Sequence, residues 1–493
     1  MKYRLRSLFA MGLSVLLSFS IVLTASATEA ATPDPSAAAD AAASEDTGAS
    51  NDLSGQGTSG SGDISWPQGP DIQGESGVVI EASTGTVLYD KNMHDQHYPA
   101  SITKILTVLL ALENCSLDEM VTVPYEAAHM PEKGSHIALD ADEQLTMKDC
   151  LYAMMLASAN DAAYAVAIHL GGTIENFADM MNRRAQELGC TDSHFTNCNG
   201  LFDENHVSSA YDMALITREA LKHETFREVS GTVFYEIPPS DTQPDLIPMY
   251  NHHKMLTSSK YHYDGAFSGK TGYTNIARNT LVTCASRGGM ELICVTMKTE
   301  GRQVYVDTAS LLDFGFEHFQ RINIAQNESV YSQSSVYQES SLIKDKSMLH
   351  ISQDGYVIIP NEASFSDLTE ELVYGPAKYE DSSVGLLSFR YGDRFVGSAS
   401  LELTAPSLPS YTFQSVSASV SSESGTSSTA PSPEPEKKSA GKTAVYIIAA
   451  VILFLALLFA IWVCVVKWQR CKRLRARCKW KKEFYSNLED LDD

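Results

Sequence analysis

Basic residues are scarce in this 493-residue sequence, which has 37 lysines and arginines against 61 aspartates and glutamates and a net charge of −24. A protein that binds nucleic acid needs a basic surface to neutralise phosphate groups. The acidic balance therefore argues against that class, and we expect no nucleic-acid partner.

Motifs that hold metal ions are also missing. None of the nine cysteines forms a C-x-x-C pair, and no H-E-x-x-H sequence occurs. Histidines do come in close pairs, at positions 94 and 97, 129 and 136, and 252 and 253, but solvated loop histidines explain them better than a ligand set does. We expect no metal and no other cofactor.

Charge is absent from two long apolar stretches. The first, 8–23, follows a basic start and precedes the small-residue sequence Ala25-Ser26-Ala27, which predicts a signal peptide over 1–27; an uncleaved anchor is the weaker alternative. The second, 443–466, would span about 36 Å as a helix, enough to cross a bilayer. The basic tail that follows it, 467–493, predicts a cytoplasmic end. We therefore expect a cell-membrane protein with a single anchor whose 28–442 portion lies outside a bacterial cell.

Large apolar side chains are rare in 28–65 and in 406–442, which are rich in Ala, Ser, Gly and Pro. Such segments cannot bury enough surface to offset the entropy lost on ordering, so we predict two disordered linkers. Two folded regions remain between them, a larger one over 66–325 and a β-rich one over 326–405.

The larger region begins and ends with strand patterns and has helical patterns between them. A hairpin is predicted over 76–89 with its turn at Gly85, and strands over 279–286 and 291–297 flank a Gly-Gly turn. Helices are predicted from just after Pro99, over 151–170, over 174–188 and over 305–319, and the first is apolar on all sides and should be buried. This order indicates an α+β fold in which one antiparallel sheet gathers both ends of the region.

Six cysteines fall in the segment predicted to lie outside the cell, where disulfides can form. Cys190 with Cys198, and Cys284 with Cys294, are close enough in sequence to pair. Buried free thiols are an equally good interpretation.

Three short motifs carry the chemistry. In the first, Ser101 and Lys104 are three residues apart at the start of a helix and so lie on one face, where the lysine could take the hydroxyl proton. The second, Ser158-Ala159-Asn160, offers a hydroxyl and an amide within a predicted helical stretch. The third, Lys270-Thr271-Gly272, opens a strand-like run and offers a cation and a hydroxyl for a carboxylate.

Each motif alone is weak, and Ser341-Leu342-Ile343-Lys344 matches the first by chance. Together, in this order, the three agree with the serine β-lactamase and penicillin-binding set. The chain resembles the low-molecular-mass penicillin-binding proteins, the serine D-alanyl-D-alanine carboxypeptidases, over about 75–325. The resemblance implies a β-lactamase/transpeptidase-like catalytic domain, followed by a small all-β domain and one transmembrane helix.

The resemblance also implies a mechanism and its residues. Ser101 would attack the carbonyl between the two terminal D-alanines of a peptidoglycan stem peptide, with Lys104 as base. Ser158 would pass a proton to the leaving D-alanine, and Asn160 would hold the substrate. Substrate-binding roles fall to four consecutive residues, Lys270, Thr271, Gly272 and Tyr273. β-Lactams would be covalent inhibitors that acylate Ser101.

Two positions depart from the family pattern: Ala159 replaces a frequent glycine, and Arg278 stands where glycine is usual. Three alternatives stay open at this stage: a β-lactamase, a non-turnover penicillin sensor or scaffold, and transpeptidation within the same fold.

Overall fold

The computed structural model describes residues 65–130, 134–242, 244–328, 349–373 and 383–403. The predicted signal peptide, the two predicted linkers apart from residue 65, the predicted membrane helix over 443–466 and the basic tail lie outside these ranges. No helix within the described residues is long and apolar enough to cross a membrane.

The larger region is built on one antiparallel sheet of five strands, in the order β2-β1-β9-β8-β7. The strands are β1 Ser76–Glu81, β2 Val87–Lys91, β7 Ala266–Thr274, β8 Arg278–Arg287 and β9 Met290–Thr299. The sheet thus joins the two ends of the region, as the sequence predicts. Gly85, with a φ of 77°, turns β1 into β2 and confirms the predicted hairpin.

Helices cover both faces of this sheet. They are α1 Lys104–Asn114, α2 Tyr125–Ala128, α3 Met147–Leu156, α4 Asn160–Gly171, α5 Ile174–Glu187, α6 Ala210–Ala220, α7 Glu224–Gly231, α8 Lys254–Thr257 and α9 Gln303–His318. Val78 belongs to the core shared with α1 and α3, whereas Val79 belongs to the core under α9. Successive residues of a strand point to opposite faces, so the apolar run in β1 reflects a strand buried on both sides.

Four short strands complete the larger region as two separate antiparallel pairs. They are β3 Met120–Thr122 paired with β4 Gln144–Thr146, and β5 Phe234–Ile237 paired with β6 Ile247–Tyr250.

Helix α1 is the centre of the larger core. Eight successive residues from Lys104 to Ala111 are buried, which confirms the all-round apolar helix expected from the sequence. A 3₁₀ turn over Ala100–Thr103 precedes it, so Ser101 lies just before the α-helix.

The helix predicted over 151–170 is wrong, because the chain breaks there into α3 and α4. Ser158 takes a φ of 55° and Ala159 is extended at the start of α4. A left-handed residue followed by an extended one cannot continue an α-helix. The periodicity of the apolar residues does not reveal the break because both helices are buried in the same core.

The second region is a six-stranded antiparallel sheet with the main order β10-β12-β15-β14-β13 and with β11 paired to β15. Its elements are β10 Phe319–Asn323, α10 Ile324–Asn327, β11 Leu349–Ile351, β12 Tyr356–Pro360, β13 Thr369–Val373, β14 Ser383–Tyr391 and β15 Arg394–Leu403. The sheet starts at Phe319, before the predicted boundary at 326, because β10 follows α9 directly. A core of its own supports it.

Trp66 joins the two regions. Its ring lies 5.0 Å from that of Phe319 and 6.4 Å from that of Tyr391, and its Nε1–H donates to the carbonyl of Leu88 at 3.0 Å. The residue therefore packs against both cores at once.

All six described cysteines are free thiols. In the β8–β9 ladder Cys284 stands opposite Ile293, and Thr283 stands opposite Cys294. The two cysteines are one register step apart and face opposite sides of the sheet, so they cannot form a disulfide.

Candidate active site

The three motifs meet where the 3₁₀ turn, the α3–α4 break and strand β7 come together. Lys104 Nζ lies 3.1 Å from Ser101 Oγ and 2.7 Å from Asn160 Oδ1. Lys270 Nζ lies 3.1 Å from Ser158 Oγ. Positions separated by more than 50 residues in sequence are thus within hydrogen-bond distance of one another.

Lys104 is fully buried, and its contacts fix the direction of its lone pair when it is neutral. Besides Ser101 Oγ, its Nζ contacts two oxygens that can only accept, Asn160 Oδ1 and the carbonyl of Asn199 at 2.8 Å. A neutral amine has two N–H groups and one lone pair. Because the two carbonyl oxygens take the N–H groups, the lone pair faces the Ser101 hydroxyl, which is the arrangement of a general base.

Electrostatics favour the neutral form of this base. Burial lowers the pKa of Lys104 well below its usual value, and the positive charge of Lys270 lowers it further. Desolvation and a nearby like charge both disfavour an ammonium ion. A lysine in this setting can accept a proton near neutral pH, which an ordinary surface lysine cannot.

Lys270 is the second buried lysine, with 1 % of its surface exposed. Burial lowers its pKa to about 7. Its Nζ donates to Ser158 Oγ and to the carbonyl of Thr271 at 2.9 Å. The site therefore combines one lysine that favours the neutral state with a second that is close to half protonated at neutral pH.

Strand β7 brings its motif to the site from the free edge of the sheet. The sequence predicts that Lys270-Thr271-Gly272 starts a strand, but the motif lies inside β7, which begins four residues earlier at Ala266. An edge strand leaves backbone groups available on its outer side. Tyr273, directly after the motif, is exposed on this edge.

Gly272 has a structural reason to lack a side chain. A Cβ there would lie 2.3 Å from Thr280 Oγ1, 2.9 Å from the nitrogen of Ser101 and 3.0 Å from the carbonyl oxygen of Pro99. The glycine allows β7 to approach the 3₁₀ turn Ala100–Thr103, which carries the predicted nucleophile and is called the nucleophile turn below. The resemblance implies a substrate-binding role for Gly272, whereas the described contacts are with Thr280 Oγ1 and with the protein's own backbone.

Gly200 makes a similar close approach from the opposite side. It has a φ of 81°, and a Cβ on it would lie 1.7 Å from the carbonyl oxygen of Ala100. Ala100 itself takes a φ of 51°. The Asn199-Gly200 turn therefore holds the strained backbone immediately before Ser101, while the carbonyl of Asn199 orients Lys104.

His206 supports this turn and does not touch Ser101. Its Nδ1 accepts from the backbone N–H of Thr196 at 3.0 Å, so its Nε2–H donates to Thr103 Oγ1 at 2.9 Å. Burial lowers the pKa of His206 to about 4. A neutral histidine with both ring nitrogens engaged is a structural residue.

The backbone conformation of Arg278 explains why the family pattern usually has glycine at this position. Its φ is 57°, in the left-handed region where glycine has no steric penalty. Its side chain turns toward Glu300, with Arg278 Nε 3.0 Å from Glu300 Oε1. The guanidinium is thus engaged in an exposed ion pair at the start of β8.

Two contributors were missed by the sequence reasoning. Thr280 donates from its Oγ1 to the carbonyl of Pro99 at 2.8 Å and ties β8 to the nucleophile turn. Nothing near Thr280 in sequence marks it. The carbonyl of Asn199 is the second, and the Asn-Gly dipeptide that carries it is the only local signal.

Comparisons with known proteins show which family the chain is similar to. A family model described as D-alanyl-D-alanine carboxypeptidase matches residues 64–301. The chain is 36 % identical over 258 residues to the D-alanyl-D-alanine carboxypeptidase DacF of Bacillus subtilis, covering 50 % of this chain and 63 % of that one. It is 33 % identical over 262 residues to DacB2 of Mycobacterium tuberculosis, covering 52 % of this chain and 86 % of that one.

A solved structure supports the fold over a longer range. The D-alanyl-D-alanine carboxypeptidase DacD of Francisella tularensis superposes with a TM-score of 0.52 and 21 % identity, covering 70 % of this chain and 96 % of that one. At this identity the likeness bears on the fold alone.

Proposed function

Since the chain belongs to the D-alanyl-D-alanine carboxypeptidase family of serine peptidases, we propose that Ser101 carries the acyl group in removing the terminal D-alanine from peptidoglycan stem peptides. The observation that carries this proposal is the hydrogen-bonded set of Ser101, Lys104 and Asn160 beside the pair Ser158 and Lys270. β-Lactams acylate the same serine.

In the first half of the reaction, Lys104 removes the proton of Ser101, and Ser101 Oγ forms a bond to the carbonyl carbon between the two D-alanines. The backbone N–H groups of Ser101 and Tyr273 receive the developing oxyanion, at about 3 kcal/mol for each donor. Both lysines are buried, and the low dielectric constant around them strengthens these interactions.

The terminal carboxylate of the substrate is bound by Lys270 and Thr271. Ser158 supplies a proton to the departing D-alanine amine, and its Oγ is positioned for this by the hydrogen bond from Lys270. The C–N bond breaks, leaving an ester between Ser101 and the shortened peptide. The proton that Lys104 took from Ser101 then replaces the one that Ser158 gave to the amine, so Lys104 returns to its neutral state and Ser158 regains its hydroxyl proton.

Water then hydrolyses the ester and frees Ser101. Asn160 takes a different role from the one expected from its motif alone, because its side-chain oxygen accepts from Lys104. We assign it to orienting the base, in addition to the substrate contact inferred from the sequence.

Attachment to the cell membrane is part of the proposal. The uncharged stretch 443–466 followed by a basic tail supports a C-terminal span with the catalytic region outside the cell. Removal of 443–493 should release the protein from the membrane fraction, whereas retention of the shortened protein after the signal peptide has been cleaved would contradict a C-terminal anchor.

The test uses the purified full-length chain in detergent. Intact-mass and peptide analysis after benzylpenicillin should place one adduct on the Ser101 peptide, and a peptide ending in D-Ala-D-Ala should release D-alanine. Both should be lost in Ser101→Ala and kept in Ser286→Ala, which removes an exposed serine of β8. An adduct without D-alanine release would favour a sensor or a transpeptidase, and rapid penicillin hydrolysis would favour a β-lactamase.

A further inference from the structure

Away from the catalytic groups, three side chains of metal-binding type converge at the opposite end of α1. They are Cys115, Glu119 and His169, and one ligand atom of each lies within 4.8 Å of the other two. His169 Nε2 is 2.7 Å from Glu119 Oε1. The reaction proposed above uses none of them.

The fold holds each of the three in place. Cys115 follows the last residue of α1, and its N–H donates to the carbonyl of Ala111 at 3.0 Å. Glu119 closes the next turn through its N–H to Ser116 at 3.1 Å, and its carbonyl accepts from the N–H at the start of α3. His169 lies in the last turn of α4. Three packed helices therefore fix the backbone of the cluster.

We propose that Cys115, Glu119 and His169 bind one divalent metal ion of the zinc type. A thiolate, an imidazole and a carboxylate together suit zinc, whereas magnesium and calcium prefer oxygen ligands alone. Around a tetrahedral zinc ion the ligand atoms stand about 3.3–3.6 Å apart. The present 2.7 Å between His169 and Glu119 needs to widen by less than about 1 Å. Glu119 and His169 both reach solvent, so water completes the fourth position.

Binding requires one proton to leave. Burial and the carboxylate of Glu119 raise the pKa of the Cys115 thiol to about 11, so the metal displaces the thiol proton to solvent when the sulfur–metal bond forms. His169 coordinates through Nε2 and carries its proton on Nδ1 instead. Affinity should therefore fall as the pH is lowered, as it does for thiolate sites in general.

The position of the cluster gives the metal a structural role. Helices α1 and α4 meet at their other ends, where Lys104 donates to Asn160. With 11 residues, α1 separates the two ends by about 16 Å. A metal bound by Cys115 and His169 would join these helices at the end distant from the catalytic groups. We expect zinc to raise the melting temperature and to leave the acylation rate at moderate temperature unchanged.

The experiment uses the full-length chain with Cys464, Cys471 and Cys478 replaced by serine, because these cysteines precede or lie within the basic tail and could also take up metal. After chelator treatment and its removal, Zn²⁺ is titrated by calorimetry and Co²⁺ by absorption. One equivalent of each is expected, with the thiolate-to-cobalt charge-transfer band that shows a sulfur ligand.

Variants then assign the ligands. Cys115→Ser should abolish the charge-transfer band, and Cys115→Ser and His169→Ala should each weaken Zn²⁺ binding by tenfold or more. His350→Ala should not, because His350 and Glu402 form a similar pair at 3.0 Å in the β region, which contains no cysteine. An unchanged affinity in Cys115→Ser, or no binding by the parent protein, would overturn the proposal. A thermal melt shows that each variant is folded, and this readout does not depend on penicillin acylation, so the two proposals can fail separately.

Discussion

The pH dependence of acylation should separate the roles of the two buried lysines. In the proposed reaction Lys104 can remove the proton of Ser101 only when Lys104 is neutral. The substrate carboxylate is bound only when Lys270 is protonated. The second-order rate constant for acylation reports groups of the free enzyme. It should rise with pH through the lowered pKa of Lys104 and fall above about 7, the pKa of Lys270.

The structure gives the size of the alkaline decrease. With a pKa of about 7, Lys270 is about half protonated at pH 7 and about 1 % protonated at pH 9, so acylation by benzylpenicillin should fall about fiftyfold between these pH values. Lys270→Arg keeps a cation that does not titrate in this range. Its charge also keeps the pKa of Lys104 low, because that pKa is lowered partly by the charge at position 270. The variant should lose the alkaline decrease and keep the acidic limb.

Stopped-flow acylation from about pH 5 to 9 measures the alkaline decrease and the trend of the rate below pH 7. Lys298→Arg is the matched control, since Lys298 is half-buried and forms an ion pair with Glu75 at 2.8 Å. It should show the parent profile. A folded Lys270→Arg protein whose acylation still falls with a midpoint near pH 7 would refute the assignment of that limb to Lys270.

Three further predictions concern the scaffold of the site. Gly200→Ala should reduce acylation more than a hundredfold, because its Cβ would overlap the carbonyl oxygen of Ala100. Gly189→Ala is the control: Gly189 has a φ of 86° and open space around it, so this change should only lower the free energy of unfolding by about 1–2 kcal/mol. Similar acylation rates in the two variants would argue against the close approach. His206 is protonated in the unfolded chain below pH 6.5 and in the native protein only near pH 4. Its contribution to the free energy of unfolding is therefore complete above pH 6.5 and decreases by about 3 kcal/mol as the pH falls to 4. Urea unfolding of His206→Gln should show a shallower decrease of stability with falling pH, and an unchanged pH dependence would contradict this. Trp66→Ala should lower the free energy of unfolding by about 3 kcal/mol, because its ring packs against the cores of both regions. The two regions should then melt separately, which calorimetry can resolve. A single unchanged transition would show that the ring does not join the two regions.

Local signals account for the parts of the fold that the sequence predicts well. The β1–β2 hairpin depends on Gly85, and the length and all-round apolar character of α1 identify a central buried helix. The order of strands and helices indicates the α+β class, since a sheet that gathers both ends of a region needs strands at both ends. These features depend on residues close together in the chain.

The errors occur where distant segments determine the backbone. Ser158 leaves the helical conformation inside an apolar stretch, and it then faces Lys270, which is 112 positions away. Gly272 is explained by the nucleophile turn and Thr280, and neither contact has a signal in the neighbouring residues. Strain at such positions is maintained by the surrounding structure and leaves little trace in local periodicity.

The sequence by itself determined which residue types are available for the chemistry and in what order, because a serine–lysine pair, a Ser-x-Asn motif and a Lys-Thr-Gly motif can be read one after another. Only the tertiary structure decided what each group does. In the proposed reaction Lys104 can act as a base because folding buries it, brings Lys270 close and aims two carbonyl oxygens at its N–H groups. Burial and the direction of a lone pair arise from contacts between segments that are far apart in the chain, and so they exist only in the folded protein.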